Sequence, residues 1–364
     1  MSHDDQGAVH CELINQVALI TLDRPRALNA LSHAMVLRLH ALLDELEADA
    51  KLRAVVLRGA GPKAFCAGGD VIALAHSVRD GTSLHQAFFI DEYRLDWRIH
   101  TFCKPVVAFM HGIVMGGGMG LAQGASLRLV ADNVRIAMPE TRIGLIPDVG
   151  ASYFFSKMPA PLAAYLALTG ASLNASDALF ANLADARSRT SDPGALPSLL
   201  AAIEWPAKDC KEPLHVLRQA LTAESAATHM DEAPLLAQCP LIFRYFDPAQ
   251  PLSAVMTGLA ASQNEWAQAT AQTLRAHSPL MMALTLVTLQ RGRHLDLPAC
   301  LRMEYGLVQH ALRCGEFTEG VRAHLIDKDR APSWTIPSID AMDDQAIESA
   351  LAAAHEWSSG RVDH

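Results

Sequence analysis

The sequence predicts an α/β protein with a helical C-terminal region, and three observations lead to this prediction. Apolar, β-branched runs alternate with helical periodicity up to about residue 185. A connection rich in Ser, Asp, Pro and Lys follows at 187–213. Beyond it the pattern is helical, without convincing strands. We therefore expect an α/β core at residues 1–195 and a helical region at 196–364.

The strands of the core are predicted from short apolar runs that end at turn-forming or charged residues. Ser32 lies between the first two runs and is placed to cap a helix whose apolar residues recur every three or four positions. The predicted strands are 17–22 (VALITL), 54–59 (AVVLRG), 105–110 (PVVAFM), 127–131 (LRLVA) and 134–138 (VRIAM).

A proline-rich stretch precedes the predicted helices of the C-terminal region. Residues 231–251 contain four of them and are predicted to be irregular, because proline interrupts helices and strands. Three helices are predicted after this stretch, at 252–276, 279–291 and 298–313.

Composition and charge restrict the class of protein. Half of the 364 residues are hydrophobic, which excludes a disordered chain. The formal net charge of −9 disfavours a nucleic-acid-binding protein, since such proteins present basic surfaces. The most apolar stretch, at 280–289, is too short to span a membrane. We expect a soluble enzyme that binds neither nucleic acid nor membrane.

The cysteines and the N-terminal residues predict the cellular compartment in which the protein is located. Seven scattered cysteines without a C-x-x-C pair are typical of reduced thiols. The opening residues, MSHDDQGAVH, resemble neither a signal peptide nor an Arg-rich transit peptide. These features predict a cytoplasmic protein.

Several well-known catalytic motifs are absent from the sequence. It has no P-loop, no G-x-S-x-G nucleophile elbow and no H-E-x-x-H zinc motif. The glycine run GGGMG does not continue as a dinucleotide-binding fingerprint. The 16 histidines lack paired spacing, so no metal site is predicted.

Two glycine-rich turns follow predicted strands and are candidates for ligand binding. They are KAFCAGGD at 63–70 and HGIVMGGGMGLA at 111–122, and GLAQGAS at 120–126 can start a helix. Glycines let the backbone approach a ligand closely and expose N–H groups to it. One N–H group from each turn would form a hole for the oxygen of a polarised carbonyl. Taken alone, each segment is better explained as a tight turn that binds nothing.

Two acidic residues lie in an apolar setting in MPETRIGLIPDVGASYFF, at 138–155. Glu140 and Asp148 each follow a proline and are surrounded by apolar residues. Burial disfavours the ionised form and moves a carboxyl pKa towards neutrality, where general acid–base catalysis works best. A capping Glu and a turn Asp would be the purely structural alternative.

Together these elements resemble the crotonase (enoyl-CoA hydratase/isomerase) superfamily. Within it, the sequence is similar to the branch that hydrolyses 3-hydroxyisobutyryl-CoA in valine degradation. The segments that carry the resemblance are AFCAGGD (64–70), DEY (91–93), HGIVMGGGMGL (111–121), MPETRIGLIPDVGASYF (138–154), LALTGASL (166–173) and EGVRAHLIDKDRAPSW (319–334).

The resemblance implies a spiral of ββα units that binds an acyl-CoA, followed by the helical region. It implies that the backbone N–H groups of Gly69 and Gly117 form the oxyanion hole and that Glu140 and Asp148 are catalytic. It places Glu92, in DEY, at the acyl group. No cofactor is expected, because coenzyme A is part of the substrate, and no coenzyme-binding residues are assigned. Whether the core forms a homo-oligomer stays open.

The residue at position 120 distinguishes two reactions within the superfamily, and here it is Gly120. Hydratases carry a second Glu at this position, so the resemblance favours attack at the thioester carbonyl over addition of water to a double bond. Glu140 would act as general base or as nucleophile, and Asp148 would bind the 3-hydroxyl or pass a proton to the thiolate. A hydratase or isomerase, and a non-catalytic acyl-CoA- or RNA-binding protein, are the alternatives.

Overall fold

The computed structural model describes residues 7–206, 212–223, 233–247 and 249–358. The chain folds into two compact units, and each draws on several separate segments of the sequence. The first unit is Met1–Gly69, Arg94–Ile136 and Ser172–Leu236, and the second is Asp70–Tyr93, Ala137–Ala171 and Ala237–His364.

Most of the strands come from short apolar segments, whereas the first strand, Ala8–Ile14 (AVHCELI), is partly polar and lies partly exposed. In chain order they are β1 (Ala8–Ile14), β2 (Val17–Asp23), β3 (Ala54–Gly59), β4 (Ala64–Cys66), β5 (Val106–Met110), β6 (Ile113–Met115), β7 (Leu127–Val130), β8 (Arg135–Ala137) and β9 (Ala186–Arg187).

The helices are spread along the whole chain. In order they are α1 (His33–Ala48), α2 (Val71–Arg79), α3 (Leu84–Thr101), α4 (Gly117–Gln123), α5 (Ala151–Phe155), α6 (Ala160–Thr169), α7 (Ala175–Phe180), α8 (Leu196–Ala201), α9 (Pro213–Leu221), α10 (Pro234–Tyr245), α11 (Leu252–Ala260), α12 (Glu265–Arg275), α13 (Pro279–Gly292), α14 (Leu297–Arg313), α15 (Glu316–Val321) and α16 (Asp344–Ser358).

The first unit is built on a six-stranded sheet with the order β1-β2-β3-β5-β7-β9. β1 pairs antiparallel with β2, and the other pairs are parallel. Parallel strands are covered on both faces, which explains why β2, β3 and β5 are almost continuously apolar and buried. One face packs on α8 and α9 through residues such as Val107, Leu200 and Leu217, each fully buried. Each such side chain contributes about 1.5–3 kcal/mol by leaving water.

A second sheet, of order β4-β6-β8, places the two glycine-rich turns. β4 and β6 run parallel, with Ala64 opposite Ile113 and Cys66 opposite Val114. The segments predicted as turns at 63–70 and 111–122 therefore begin with short strands. Because the strands are parallel neighbours, the chain leaves both at the same edge.

The second unit is helical in its described part. α13 is apolar around its whole circumference and almost entirely buried, and it packs against α5 and α6. Ser278 caps it by accepting a hydrogen bond from the Met281 N–H. α14 packs against α5 and α16, and α15 packs against α2.

Most predicted elements of the core are present. The five predicted strands correspond to β2, β3, β5, β7 and β8, and Ser32 caps α1 by accepting from the Met35 N–H. Every regular element after Arg187 in the described part of the chain is helical. The compact units nevertheless each contain residues from before and after position 195, so the division at 195 stays a prediction.

Three predictions for the C-terminal region were wrong. The stretch 252–276 is two helices, since Asn264 ends the break by capping α12 through the Ala267 N–H. The stretch 231–251 contains the helix α10 with Pro240 inside it. Pro240 has no N–H to donate to the Leu236 carbonyl, so the helix continues past it with one fewer backbone hydrogen bond. The connection at 187–213 contains α8, and residues 207–211 of it lie outside the described residues.

Within the described ranges, no helix has both the length and the apolar character needed to span a bilayer.

Candidate active site

The first glycine-rich turn directs the N–H of Gly69 away from its neighbouring chain. Gly68 has φ +104°, a conformation that favours glycine. Its carbonyl accepts a hydrogen bond from the Leu31 N–H at 2.8 Å. The carbonyl of residue 68 and the N–H of Gly69 belong to one trans peptide and point in opposite directions. The Gly69 N–H therefore points away from Leu31.

The second turn does the same for Gly117 by means of a helix. Gly116 has φ +48°, and its carbonyl accepts from the N–H groups of Met119 and Gly120 at 2.7 and 3.2 Å. The N–H of Gly117 shares that peptide, so it points out of the first turn of α4. α4 begins at Gly117 and ends at Gln123. The expectation that GLAQGAS starts the helix was wrong, because the glycine run forms its first turn.

The two turns lie against each other. A Cβ atom added to Gly68 would lie 3.6 Å from the backbone N of Gly117 and 3.4 Å from the carbonyl oxygen of Met115. A Cβ at Gly118 would lie 2.3 Å from the carbonyl oxygen of Cys66, so only glycine permits this approach. The structure thus brings together the two turns whose amides were predicted to form an oxyanion hole.

A carboxylate fills the space beside Gly120. A Cβ atom there would lie 2.6 Å from both carboxylate oxygens of Asp96, a residue that is 3% exposed. A side chain at position 120 is therefore excluded unless Asp96 moves. Asp96 therefore occupies the space that a glutamate side chain at position 120 would need.

Sequence reasoning missed Asp96, although a signal for it exists. The buried residues of α3 recur every three or four positions, as expected for one face of a helix. An acid within that stripe is unusual enough to single out. The buried stripe consists of Phe88, Phe89, Glu92, Tyr93, Leu95, Asp96 and Ile99.

Glu140 starts a short 3-10 helix in the second unit. The helix spans Glu140–Ile143, and the Glu140 carbonyl accepts from the Leu145 N–H at 3.0 Å. Its side chain is 5% exposed, and its Oε2 atom has no hydrogen-bond partner within the described structure. Burial, and then the charge of Asp148, raise the pKa of Glu140 well above its ordinary value.

Asp148 lies at the start of a strained turn. Val149 and Gly150, which follow it, both have left-handed backbones, with φ +54° and +86°. A β-branched residue rarely adopts this conformation, so packing must enforce it. The Tyr93 hydroxyl donates a hydrogen bond to Oδ2 of Asp148 at 2.5 Å. Burial raises the pKa of Asp148 to about 6, although the bond from Tyr93 opposes this rise.

Glu92 completes a cluster of three acids in the second unit. It is 2% exposed, and its Oε1 atom has no hydrogen-bond partner among the described residues. Burial, and then the charges of Asp148 and Glu140, raise the pKa of Glu92 well above its ordinary value. Burial and mutual repulsion therefore favour the protonated form within this group of three acids.

The predicted site residues therefore fall into two groups. Gly69 and Gly117 lie in adjacent turns of the first unit, and Glu92, Glu140 and Asp148 form the acid cluster of the second unit. Within the described chain, no group of three or more His, Cys, Asp or Glu side chains is arranged to hold a metal ion.

The chain matches a protein family described as enoyl-CoA hydratase/isomerase over residues 17–351. It belongs to this family. The predicted superfamily is confirmed, and the match includes the helical C-terminal region as well as the α/β core.

Full-length relatives within the family have been named. A mitochondrial 3-hydroxyisobutyryl-CoA hydrolase of Xenopus tropicalis is 37% identical and covers 91% of this chain and 85% of its own. That of Danio rerio is 34% identical, with 98% and 92% covered. The crystal structure of a carnitinyl-CoA dehydratase from Mycobacterium thermoresistibile has a TM-score of 0.83 at 32% identity and covers 96% of both chains. This likeness confirms the predicted fold.

Proposed function

We propose that this protein hydrolyses the thioester of 3-hydroxyisobutyryl-CoA to 3-hydroxyisobutyrate and coenzyme A. The observation that carries the proposal is the adjacency of the two glycine turns with the Gly69 and Gly117 amides, in a chain whose full-length relatives are named as this hydrolase. Two backbone N–H groups are the usual means of stabilising the oxyanion formed during acyl transfer.

In the proposed mechanism, the N–H groups of Gly69 and Gly117 donate to the thioester oxygen. Attack at the carbonyl carbon places a negative charge on that oxygen. Loss of one such donor typically lowers the rate by about 10²–10³. These amides are fixed by the fold, so no reorganisation is required when the charge develops.

Glu140 is proposed to supply the attacking group. As general base it takes a proton from water, and the resulting hydroxide adds to the carbonyl carbon. As nucleophile its carboxylate displaces the thiolate to give a mixed anhydride, which water then opens. Both routes need ionised Glu140, so its raised pKa predicts activity that increases with pH. Repeated turnover in ¹⁸O-labelled water distinguishes them, because only the anhydride route places label in Glu140.

Asp148 and Glu92 are proposed to bind the 3-hydroxyl group of the acyl chain. With a pKa of about 6, Asp148 is mostly ionised at pH 7 and can accept this hydrogen bond. Its alternative role is to pass a proton to the departing thiolate. Glu92, whose pKa burial raises well above its ordinary value, would donate its proton to the same hydroxyl.

The proposed chemistry uses no metal and no cofactor, because backbone amides polarise the carbonyl. Activity is therefore expected to be insensitive to EDTA. A cytoplasmic location also stays a proposal that rests on the cysteines and the N-terminal residues; the vertebrate relatives are named mitochondrial.

The test is thiol release from a panel of esters. We expect turnover of 3-hydroxyisobutyryl-CoA, with 3-hydroxypropanoyl-CoA as the nearest competitor, and little loss of the enoyl absorbance of crotonyl-CoA. Absence of thiol release with rapid loss of that absorbance would instead establish a hydratase, the second candidate from the sequence; the similar Mycobacterium structure is named a carnitinyl-CoA dehydratase. Salt-sensitive RNA binding without either activity would establish a non-catalytic protein.

A further inference from the structure

In the turn after Asp148, the N–H groups of Gly150, Ala151 and Ser152 all donate hydrogen bonds. The Ala151 N–H donates to the Asp148 carbonyl at 2.9 Å, which closes the turn on itself. The N–H groups of Gly150 and Ser152 donate instead to the carboxylate of Glu304, at 2.7 and 2.8 Å. The backbone on the C-terminal side of Asp148 is thus held by one distant side chain.

Glu304 lies on α14 and is fully buried. Besides the two backbone donors, the Ser152 hydroxyl donates to its Oε1 atom. Burial raises the pKa of Glu304 to about 8, and the hydrogen bonds from Ser152 and Gly150 oppose this rise because they favour the ionised form. The ionised carboxylate accepts at both oxygens and donates at neither, so it suits three donors. Removal of this acceptor would leave two buried N–H groups without partners.

The backbone that Glu304 holds is the strained part of the turn. Val149 and Gly150 are the two consecutive left-handed residues directly after Asp148. A strained conformation persists only where its surroundings determine it. The hydrogen bonds from the N–H groups of Gly150, Ala151 and Ser152 supply that determination, because they fix three successive peptides of the turn.

The same helix also supports the Asp148 carboxylate through aromatic packing. Tyr305, the next residue of α14, contacts Tyr93 edge to face, with ring centroids 6.3 Å apart and an interplanar angle of 84°. Tyr93 donates to the Asp148 carboxylate. Neighbouring residues of one helix therefore constrain Asp148 at its backbone and at its side chain.

We propose that Glu304 is the positioning residue for Asp148, acting through its hydrogen bonds to Gly150 and Ser152. This inference rests on the proposed function, in which Asp148 binds the acyl group or transfers a proton. Glu304 does not touch the substrate in this proposal. It determines where the Asp148 carboxylate lies, and a displacement of a fraction of an ångström there lowers the rate of reaction.

The test is a double-mutant cycle of Glu304→Gln with Asp148→Asn. Glutamine keeps the size of the side chain but replaces one acceptor oxygen with an NH₂ group, which faces a buried N–H donor. We expect E304Q alone to lower kcat/KM by about tenfold or more, through KM if Asp148 binds the hydroxyl and through kcat if it transfers the proton. In the D148N background the same change should lower kcat/KM by less than about twofold, because its effect passes through Asp148.

Glu316→Gln is the matched control. Glu316 is 1% exposed and also accepts three hydrogen bonds, from the Ser278 hydroxyl and from the N–H and hydroxyl of Thr335. Its loss should destabilise the fold to a similar degree. We expect its effect on kcat/KM to be the same with and without D148N, since its donors are not part of the Asp148 turn.

A readout that is independent of catalysis completes the experiment. Hydrogen exchange of the Gly150 and Ser152 amides should be slow in the wild-type protein and at least about tenfold faster in E304Q. Unchanged exchange, or equal effects of E304Q in both backgrounds, would overturn the positioning role. A wild-type protein that releases no thiol would refute the proposed hydrolysis instead, while the exchange rates would still decide whether Glu304 fixes the turn.

Discussion

Replacement of Tyr93 by Phe isolates the hydrogen bond that stabilises the Asp148 carboxylate. The hydroxyl donates to Asp148 at 2.5 Å, and Tyr93 is fully buried, so water does not readily take its place. Phe keeps the ring and its packing. The change therefore removes one donor from the carboxylate and little else.

The magnitude follows from the strength of such a bond. A hydrogen bond to a charged group contributes about 1.5–3 kcal/mol. The wild-type pKa of Asp148 is about 6, and the donor lowers it against the effect of burial. Loss of the donor raises it, and 1.36 kcal/mol corresponds to one pH unit. We expect the midpoint that Asp148 contributes to the pH profile to move up by about one to two pH units.

The assay is kcat for thiol release between about pH 5 and pH 9, which reports groups in the enzyme–substrate complex. If ionised Asp148 binds the hydroxyl, the midpoint limits activity on the acidic side. If protonated Asp148 supplies the thiolate proton, it limits activity on the alkaline side. In either case this limb of the pH profile moves to higher pH in Y93F. A shift of the acidic limb indicates that Asp148 binds the hydroxyl, and a shift of the alkaline limb indicates that it transfers the proton.

Tyr245→Phe serves as the control, because the Tyr245 hydroxyl bonds to Ser262 and not to a carboxylate. Its pH profile should match that of the wild-type protein. A Y93F profile that superimposes on the wild type would show that Asp148 does not titrate in the reaction, and the proposed role of its carboxylate would then be wrong.

Three further substitutions test the remaining parts of the site. Glu140→Gln should lower hydrolysis by about 10²-fold or more while binding of a coenzyme A ester changes little, and unchanged turnover would refute its role. Gly118→Ala should lower kcat by about 10²-fold and also lower the melting temperature. The added Cβ would lie 2.3 Å from the Cys66 carbonyl oxygen and would force the two turns apart. A fully active variant would contradict this packing. Asp148→Asn should raise the melting temperature more at pH 8 than at pH 5. Because folding raises the pKa of Asp148 from 3.8 to about 6, this group lowers stability as pH rises through that range, by about 3 kcal/mol once it is complete. An equal effect at both pH values would exclude this linkage.

Local patterns predicted the strands β2, β3, β5, β7 and β8 and both glycine turns, because each is specified by residues close together in the chain. The strand β3 and the cap at Ser32 are examples. The same patterns missed β1, β4, β6 and β9. The sequence could not show that Gly68 lies against the Gly117 amide, since that proximity depends on the pairing of β4 with β6. It could not show the partners of Asp148 either, because Tyr93 is 55 positions away along the chain.

Two C-terminal helices of the second unit carry buried glutamates that bond directly or through one residue to the turns of the acid cluster. A buried charge is costly, and an apolar side chain of similar size would usually pack more favourably. Glu304 on α14 nevertheless binds the turn after Asp148, and Glu316 on α15 binds Ser278, whose N–H donates to the carbonyl of Thr141 beside Glu140. Packing alone does not explain why these two positions are glutamates. Both accept hydrogen bonds from backbone N–H groups and so hold the backbone in place. The helical region thus has a chemical reason to accompany the acid cluster, although none of the proposed catalytic residues lies in it.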